Sequence, residues 1–246
     1  MCYQKSLNQS EDNLTRYMDK PPVESGILIP YFLNDGFTHQ NVYIIPMDES
    51  AHWYPASWGL VPTYTSAEEF YSNRKYNTLN ARDDKVFDSR MYSTSIREQR
   101  CLIFADGFFE PHHTGKESQP YFCYLDESDS VKDRSIFTFA GIYNRDANGK
   151  YSASLITVDA NPMFEKVHNK AKRMPLVLDR KFEKDWLENG QSESIIKDIM
   201  AEGFTGKSFN AHPVLNYRLK KNWEFKDSEK VVEPVEPIDK QLSLLG

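Results

Sequence analysis

The sequence predicts an α+β fold. Aromatic-rich runs of strand length recur through the middle of the 246-residue chain, and segments with helical spacing gather toward its end. The length fits one large domain or two small ones and is enough to bury a full core.

Ser10 to Lys20 (SEDNLTRYMDK) reads as a short helix with a polar cap, stopped by Pro21-Pro22. Asn41 to Pro46 (NVYIIP) reads as a strand, and Ser57 to Pro62 (SWGLVP) as a short aromatic segment ended by proline. Arg100 to Glu110 (RCLIFADGFFE) is an apolar strand, a turn at Asp106-Gly107, then further apolar residues. Pro120 to Leu125, Ser135 to Tyr143 and Tyr151 to Ala160 are strands rich in aromatic and β-branched residues. Asn161 to His168 is a short helix with Pro162 at its start, where proline is tolerated. Pro175 to Leu178 is a short strand. In Asp179 to Gly190, Phe182, Trp186 and Leu187 share a helical face, and Gly190 ends it. Ser192 to Gly203 is a helix with a serine cap and a glycine stop. From Lys226 the composition turns acidic and proline-containing without period, so residues 226–246 are expected to form a flexible tail.

No apolar run approaches the roughly 18 residues needed to span a bilayer, so no membrane association is expected. No basic stretch leads into an apolar one at the start, which argues against a secretory signal. Cys2, Cys101 and Cys123 are odd in number and lack paired spacing. They fit a reducing compartment and a cytoplasmic location. Cys101 and Cys123 lie in apolar strands and read as buried hydrophobes. His52, His112, His113 and His212 lack metal-ligand spacing, so neither metal nor cofactor is expected. The net charge of −6 speaks mildly against nucleic acid. Basic clusters at Asn73 to Tyr76, Asn169 to Pro175 and Tyr217 to Trp223 nevertheless leave room for a local positive face.

The chemistry centres on the opening MCYQKSLNQS. Removal of Met1 would leave Cys2 with an α-amine beside its thiol. The amine, with a pKa near 8, condenses with an aldehyde to an imine. The neighbouring sulfur then closes a five-membered ring, helped by proximity. A frayed, inert end is the alternative. Leu79 to Arg82 (LNAR) offers an amide and a guanidinium suited to phosphate. Glu110 follows an aromatic pair, where desolvation would raise its pKa toward neutrality and suit acid–base work. For both stretches a structural turn is the alternative. His168 stands at a helix end beside basic residues, as a proton donor or as a capping histidine.

Cys2, WGLVP, LNAR, RCLIFADGFFE, LITVDANPMFEKVHNKAKRMPLVL and HPV (His212 to Val214) occur in an order that resembles the SRAP family, the abasic-site-processing proteins. The resemblance spans residues 2–225 and implies one compact catalytic and DNA-binding domain around a distorted, antiparallel β-barrel-like sheet with peripheral helices. It implies a positively charged channel for single-stranded DNA. It also implies a stable thiazolidine crosslink between the N-terminal cysteine and the ring-opened aldehyde of an abasic site, which shields the lesion. Loss of the leading methionine, by self-cleavage or otherwise, belongs to the same picture, with abasic-site lyase activity as a further expectation. Carried over, Cys2 is the nucleophile and Asn80 holds the crosslink. Glu110 shuttles protons at the amine, and His168 protonates the sugar oxygen. Arg82 and Arg173 bind flanking phosphates, and Trp58 joins the DNA-binding surface. The chain departs from the pattern at Tyr3-Gln4, where Gly-Arg is usual, and at Pro111, where Trp is usual. Its His-to-Arg-Met-Pro spacing is also longer by about three residues.

The protein is expected to act as a monomer on single-stranded DNA with abasic sites. Gln241, Leu242, Leu244 and Leu245 in QLSLL resemble the short peptide by which bacterial repair proteins dock on the replication sliding clamp, with an incidental apolar end as the alternative. Two other functions stay open: a peptidase or amidohydrolase using Cys2 as N-terminal nucleophile, and a non-catalytic DNA-binding module.

Overall fold

Five strands close into a ring. The computed structural model describes residues 2–73, 76–115, 117–127, 131, 133–203 and 208–238. Within these, β3 (Asn41–Pro46), β4 (Tyr54–Trp58), β6 (Arg100–Ala105), β9 (Phe137–Arg145) and β10 (Tyr151–Asp159) form the barrel, in the order β10-β4-β3-β6-β9. Pairing of β9 with β10 completes it. The β10–β4 pair is parallel and the rest are antiparallel, so the barrel is mixed where a purely antiparallel sheet was expected. Three short strands extend it: β5 (Asn80–Arg82) and β11 (Arg173–Pro175) on β10, and β12 (Val177–Leu178) on β9.

β6 is buried along its whole length, and β9 and β10 at all but their last residues. Strands covered on both faces read as continuous apolar runs, which made them recognisable by composition. Gly141 permits the close β6–β9 contact: a Cβ there would lie 2.6 Å from Ile103 Cδ1 and 2.9 Å from Cys101 Sγ.

A second, antiparallel sheet runs β13-β8-β7-β1-β2, built from Phe209–Pro213, Glu117–Leu125, Gly107–Thr114, Gln4–Leu7 and Tyr31–Asp35. Its strand β1 is polar in sequence yet wholly buried, because β7 and β2 flank it on both edges. The two sheets share one apolar core that includes Leu7, Phe108, Cys123 and Phe209 with the barrel interior.

The helices sit outside. α1 (Glu11–Met18) is capped by Ser10, whose Oγ accepts from Asn13 N, and ends at Asp19 in the left-handed region. α2 (Ala67–Ser72) and α3 (Ser93–Glu98) are one to two turns long, too short to give a period in the sequence. α4 (Pro162–Val167) starts from the Asn161 cap with Pro162 in its first turn. α5 (Arg180–Leu187) buries Trp186 completely, and its Nε1 donates to Cys101 O and Gly141 O at 3.0 and 3.2 Å. α6 (Glu193–Glu202) begins at the Ser192 cap.

The expected flexible tail needs correction as far as residue 238. Val231 and Val232 are fully buried against Leu33, Phe109, Phe122 and Tyr217. Val232 O accepts from His212 Nε2 at 2.8 Å, Val235 N donates to Pro213 O at 2.9 Å, and Ile238 N donates to Gln119 Oε1 at 2.8 Å. Two adjacent valines supply enough apolar surface to bind an otherwise acidic segment to the β13–β8 edge. Gln241, Leu242, Leu244 and Leu245 lie outside the described residues.

Gly107 shows how tightly the ADGFFE stretch is seated. A Cβ there would come within 2.2 Å of Phe122 Cζ and 3.2 Å of Cys123 O. Gly107→Ala is therefore expected to cost about 1–3 kcal/mol by overpacking, read as a lowered midpoint in thermal unfolding. An unchanged midpoint would mean that the Phe122 ring yields freely.

Candidate functional site

The antiparallel register of β1 on β7 pairs Gln4 with Phe109 and Lys5 with Phe108. The residues just before Gln4 are thereby brought alongside Glu110 and Pro111. Parallel pairing of β5 on β10, Asn80 opposite Leu155, brings Asn80 in from the barrel side. There Asn80 Nδ2 donates to Cys2 O at 2.8 Å. Cys2, Asn80, Glu110 and His168 are all buried, each 9% exposed or less.

Glu110 is fully buried, and burial pushes its carboxyl up to about 7. It can therefore give or take a proton near neutrality. Burial first, and the Glu110 carboxylate second, hold the Cys2 thiol well above its ordinary value. The sulfur is a protonated thiol at neutral pH, with its hydrogen directed at Gln4 O at 3.4 Å.

His168 terminates α4 and turns its ring inward. Nδ1 lies 2.9 Å from Arg173 O and 3.2 Å from Glu110 Oε2. Burial lowers its pKa to about 4, so the ring is neutral and the 3.2 Å Glu110 contact is not an ion pair. The Arg173 carbonyl facing Nδ1 can only accept, which places the ring's single proton there and leaves Nε2 as an acceptor. This differs from the expected role of His168 as donor to the sugar oxygen, since the proton is already committed. The long spacing to Arg-Met-Pro is taken up by a turn closed from Lys172 N to His168 O at 3.0 Å, with Lys172 at φ 49°.

The expected DNA-binding residues divide. Arg82 is partly exposed and forms a bidentate pair with Asp84, both contacts 2.8 Å. An exposed pair of this kind contributes little, so a phosphate can replace the carboxylate. Arg173 is a correction: it is 4% exposed and held between Asp83 at 2.5 Å and Asp159 at 2.6 Å. Two carboxylates over-neutralise its charge, which makes it a structural strut of β11. Trp58 is a second correction: it is fully buried, with Nε1 donating to Leu79 O at 3.1 Å. An indole in the barrel core has no face left for a base. Cys101 and Cys123 are buried, and burial raises both thiols well above their ordinary value.

Sequence reasoning missed the cleft at Tyr3, the residue after Cys2. It has a volume of about 170 Å³ and is lined by Tyr3, Gln4, Phe109, Pro111, Tyr217 and Arg218, among others. Tyr217 and Arg218 belong to a basic cluster visible in the sequence, but nothing local placed it next to residue 3. Neither this cleft nor a larger cavity, about 380 Å³ beside Tyr17 and Arg134, has any of the four buried site residues in its lining. Among the described residues no three His, Cys, Asp or Glu side chains gather to hold a metal ion. No helix among them is long and apolar enough to cross a membrane.

A mixed barrel, with a second sheet that carries the chain's second residue into a buried Asn–Glu–His cluster, defines a class of α+β protein built around a cysteine near the amino terminus. The chain belongs to the SRAP family (SOS response associated peptidase), whose model matches residues 1–217. Among its relatives, abasic site processing protein HMCES of Xenopus tropicalis is 29% identical over 175 residues, 64% of this chain and 50% of that protein. Abasic site processing protein YoqW of Bacillus subtilis (strain 168) is 25% identical over 161 residues, 64% of this chain and 66% of YoqW. The matched part is thus about half the length of the vertebrate relative. A crystal structure of a protein from Bacteroides thetaiotaomicron superposes with a TM-score of 0.80 at 26% identity, covering 96% of this chain and all of the other. One from Bordetella bronchiseptica, at 20% identity and a TM-score of 0.67, covers 87% of this chain and 100% of that one and shares the fold.

Proposed function

We propose that this chain processes abasic sites: freed of Met1, it traps the lesion's aldehyde in single-stranded DNA as a thiazolidine on Cys2. The observation that carries the reading is the contact of Asn80 with Cys2 O at 2.8 Å, beside a buried Glu110 that titrates near neutrality. The family membership and the names of the relatives point the same way.

The steps balance without redox chemistry. Opening the sugar hemiacetal moves one proton from the anomeric hydroxyl to the ring oxygen. The lone pair of His168 Nε2 suits the first site and protonated Glu110 the second. His168 returns a proton to Glu110 from Nδ1 across their 3.2 Å contact. The neutral α-amine then attacks the aldehyde carbon, and Glu110 protonates the departing hydroxyl and takes a proton back from the nitrogen, so water leaves as the imine forms. The Cys2 sulfur then adds to the imine carbon while its proton passes to the nitrogen. A thiol held protonated suits this step, because the imine is reactive enough not to need a standing thiolate. The same raised pKa disfavours the N-terminal-nucleophile amidohydrolase, which would need a thiolate to attack an unactivated amide. Asn80 fixes the Cys2 carbonyl, and Arg82 exchanges Asp84 for a phosphate.

Mature protein incubated with a single-stranded oligonucleotide carrying one abasic site is expected to give a shifted band on a denaturing gel. Cys2→Ala, and wild type in which Met1 is retained, are expected to give none. A band in either variant would remove Cys2 or its amine from the mechanism. Binding without any band would favour a non-catalytic DNA-binding module.

A further inference from the structure

Arg218 differs from the other arginines near the site in what holds it. Its Nε and Nη2 donate to the Gln4 amide oxygen at 3.1 and 2.6 Å, the amide orientation that two guanidinium donors require. Its nearest carboxylate is Asp35, 3.9 Å away, and Tyr217 donates its hydroxyl to that same Asp35 Oδ2 at 2.5 Å. Gln4 thus orients the guanidinium without neutralising it, whereas Arg82 and Arg173 face carboxylates at 2.8 Å or closer. The Arg218 side chain is 53% exposed.

The surroundings suit a nucleic-acid strand. Arg218 lines the cleft that begins at Tyr3, the residue after Cys2. Phe37 lies beside it, 53% exposed, with its ring centroid 6.0 Å from the guanidinium carbon and 5.0 Å from the Tyr3 ring. Lys220 and Lys221 follow, both exposed. The exposed ring and the half-exposed guanidinium, whose nearest carboxylate stands at the outer limit of ion-pair distance, together present a flat apolar face and a positive charge, the two features that stack a base and hold its phosphate.

We propose that Arg218, held out by Gln4, is a phosphate-binding arginine in the cleft at Tyr3, the residue next to Cys2, and that Phe37 stacks the unpaired base next to that phosphate. The ligand is a phosphodiester with an unstacked neighbouring base, the chemistry of a single strand. The inference deepens the reading of the site as one that handles single-stranded DNA, and rests on it.

Fluorescence anisotropy of the full chain with an undamaged single-stranded oligonucleotide, over a salt series, tests it without needing the crosslink. Arg218→Ala is expected to weaken binding about 10-fold and to reduce the slope of log K against log salt by about 0.7, one phosphate's share. Arg218→Lys is expected to keep the slope and lose part of the affinity, because a point charge replaces a planar fork. Phe37→Ala is expected to weaken binding about 10-fold with the slope unchanged. Wild-type affinity and slope in Arg218→Ala, or no binding by wild type, would overturn the proposal. A reduced slope in Arg218→Ala with no crosslink in wild type would leave the subsite standing and remove the covalent chemistry.

Discussion

Glu110→Gln is expected to slow crosslink formation about 100-fold while DNA binding persists, because an amide of the same shape cannot exchange the proton. The pH profile separates this from a packing effect. Wild-type rate should rise as the α-amine loses its proton near pH 8, and fall as Glu110, at about 7, loses the proton it must donate. The result is a narrow bell between the two. In Glu110→Gln the falling limb disappears and the residual rate climbs through pH 8. Single-turnover gels over about pH 6 to 9 read both limbs. A bell that survives the substitution would assign the acid to another group.

The same burial makes a stability statement. Folding favours the neutral form of Glu110, whose pKa goes from 4.5 to about 7. The fold therefore bears no penalty below about pH 4.5, and the penalty grows as pH rises through 7 to something on the order of 3 kcal/mol. Glu110→Gln should accordingly melt higher than wild type above neutrality and match it in acid. A substitution that stabilises the fold while it slows the chemistry is the mark of a group placed for function.

How much of this was legible in the sequence follows from where the information lies. Four of the five barrel strands were readable because burial leaves composition, as in Phe137–Arg145 and Tyr151–Asp159, whereas the half-buried Tyr54–Trp58 was not read as a strand. Caps announced α1 and α6 through Ser10 and Ser192, and Pro162 marked the start of α4. Strand β1 was invisible: Gln4, Lys5 and Ser6 are buried by partners some hundred residues away, and no local pattern records that. Cys2, Asn80, Glu110 and His168 were named from motif order, and they converge. Trp58 and Arg173 were also named from motif order, yet one lies in the core and the other between two aspartates. Residue type tells what a side chain can do; burial and neighbours decide whether it is free to do it. Arg218 makes the converse point, since only the fold sets it against Gln4.

The largest loss of stability is expected from Arg134→Met. Arg134 Nη2 meets Asp106 Oδ2 at 3.1 Å with both side chains 1% exposed or less. The same oxygen accepts from Asn8 N at 2.8 Å and Gln9 Nε2 at 3.3 Å, and Arg134 also donates to Ser6 Oγ at 3.1 Å. Asp106 opens the turn into β7, which carries Glu110, while Ser6 lies in β1 and Asn8 just past its end, with Cys2 two residues before its start. The pair therefore joins the two strands that deliver the site. Lys5 lies nearby but is spent elsewhere: it donates to Tyr31 Oη and Phe104 O, and burial lowers it to about 7 against the pull of Asp106. Removing the guanidinium strands a buried carboxylate, at a cost of about 3–5 kcal/mol. For a chain of this size that is a fall on the order of 10 °C in Tm. Adding Asp106→Asn to Arg134→Met should return much of the loss, since the unpaired charge, not the missing contact, dominates. A double variant as unstable as the single one would show instead that the packing of Arg134, and not its charge, holds β1 and β7 in register.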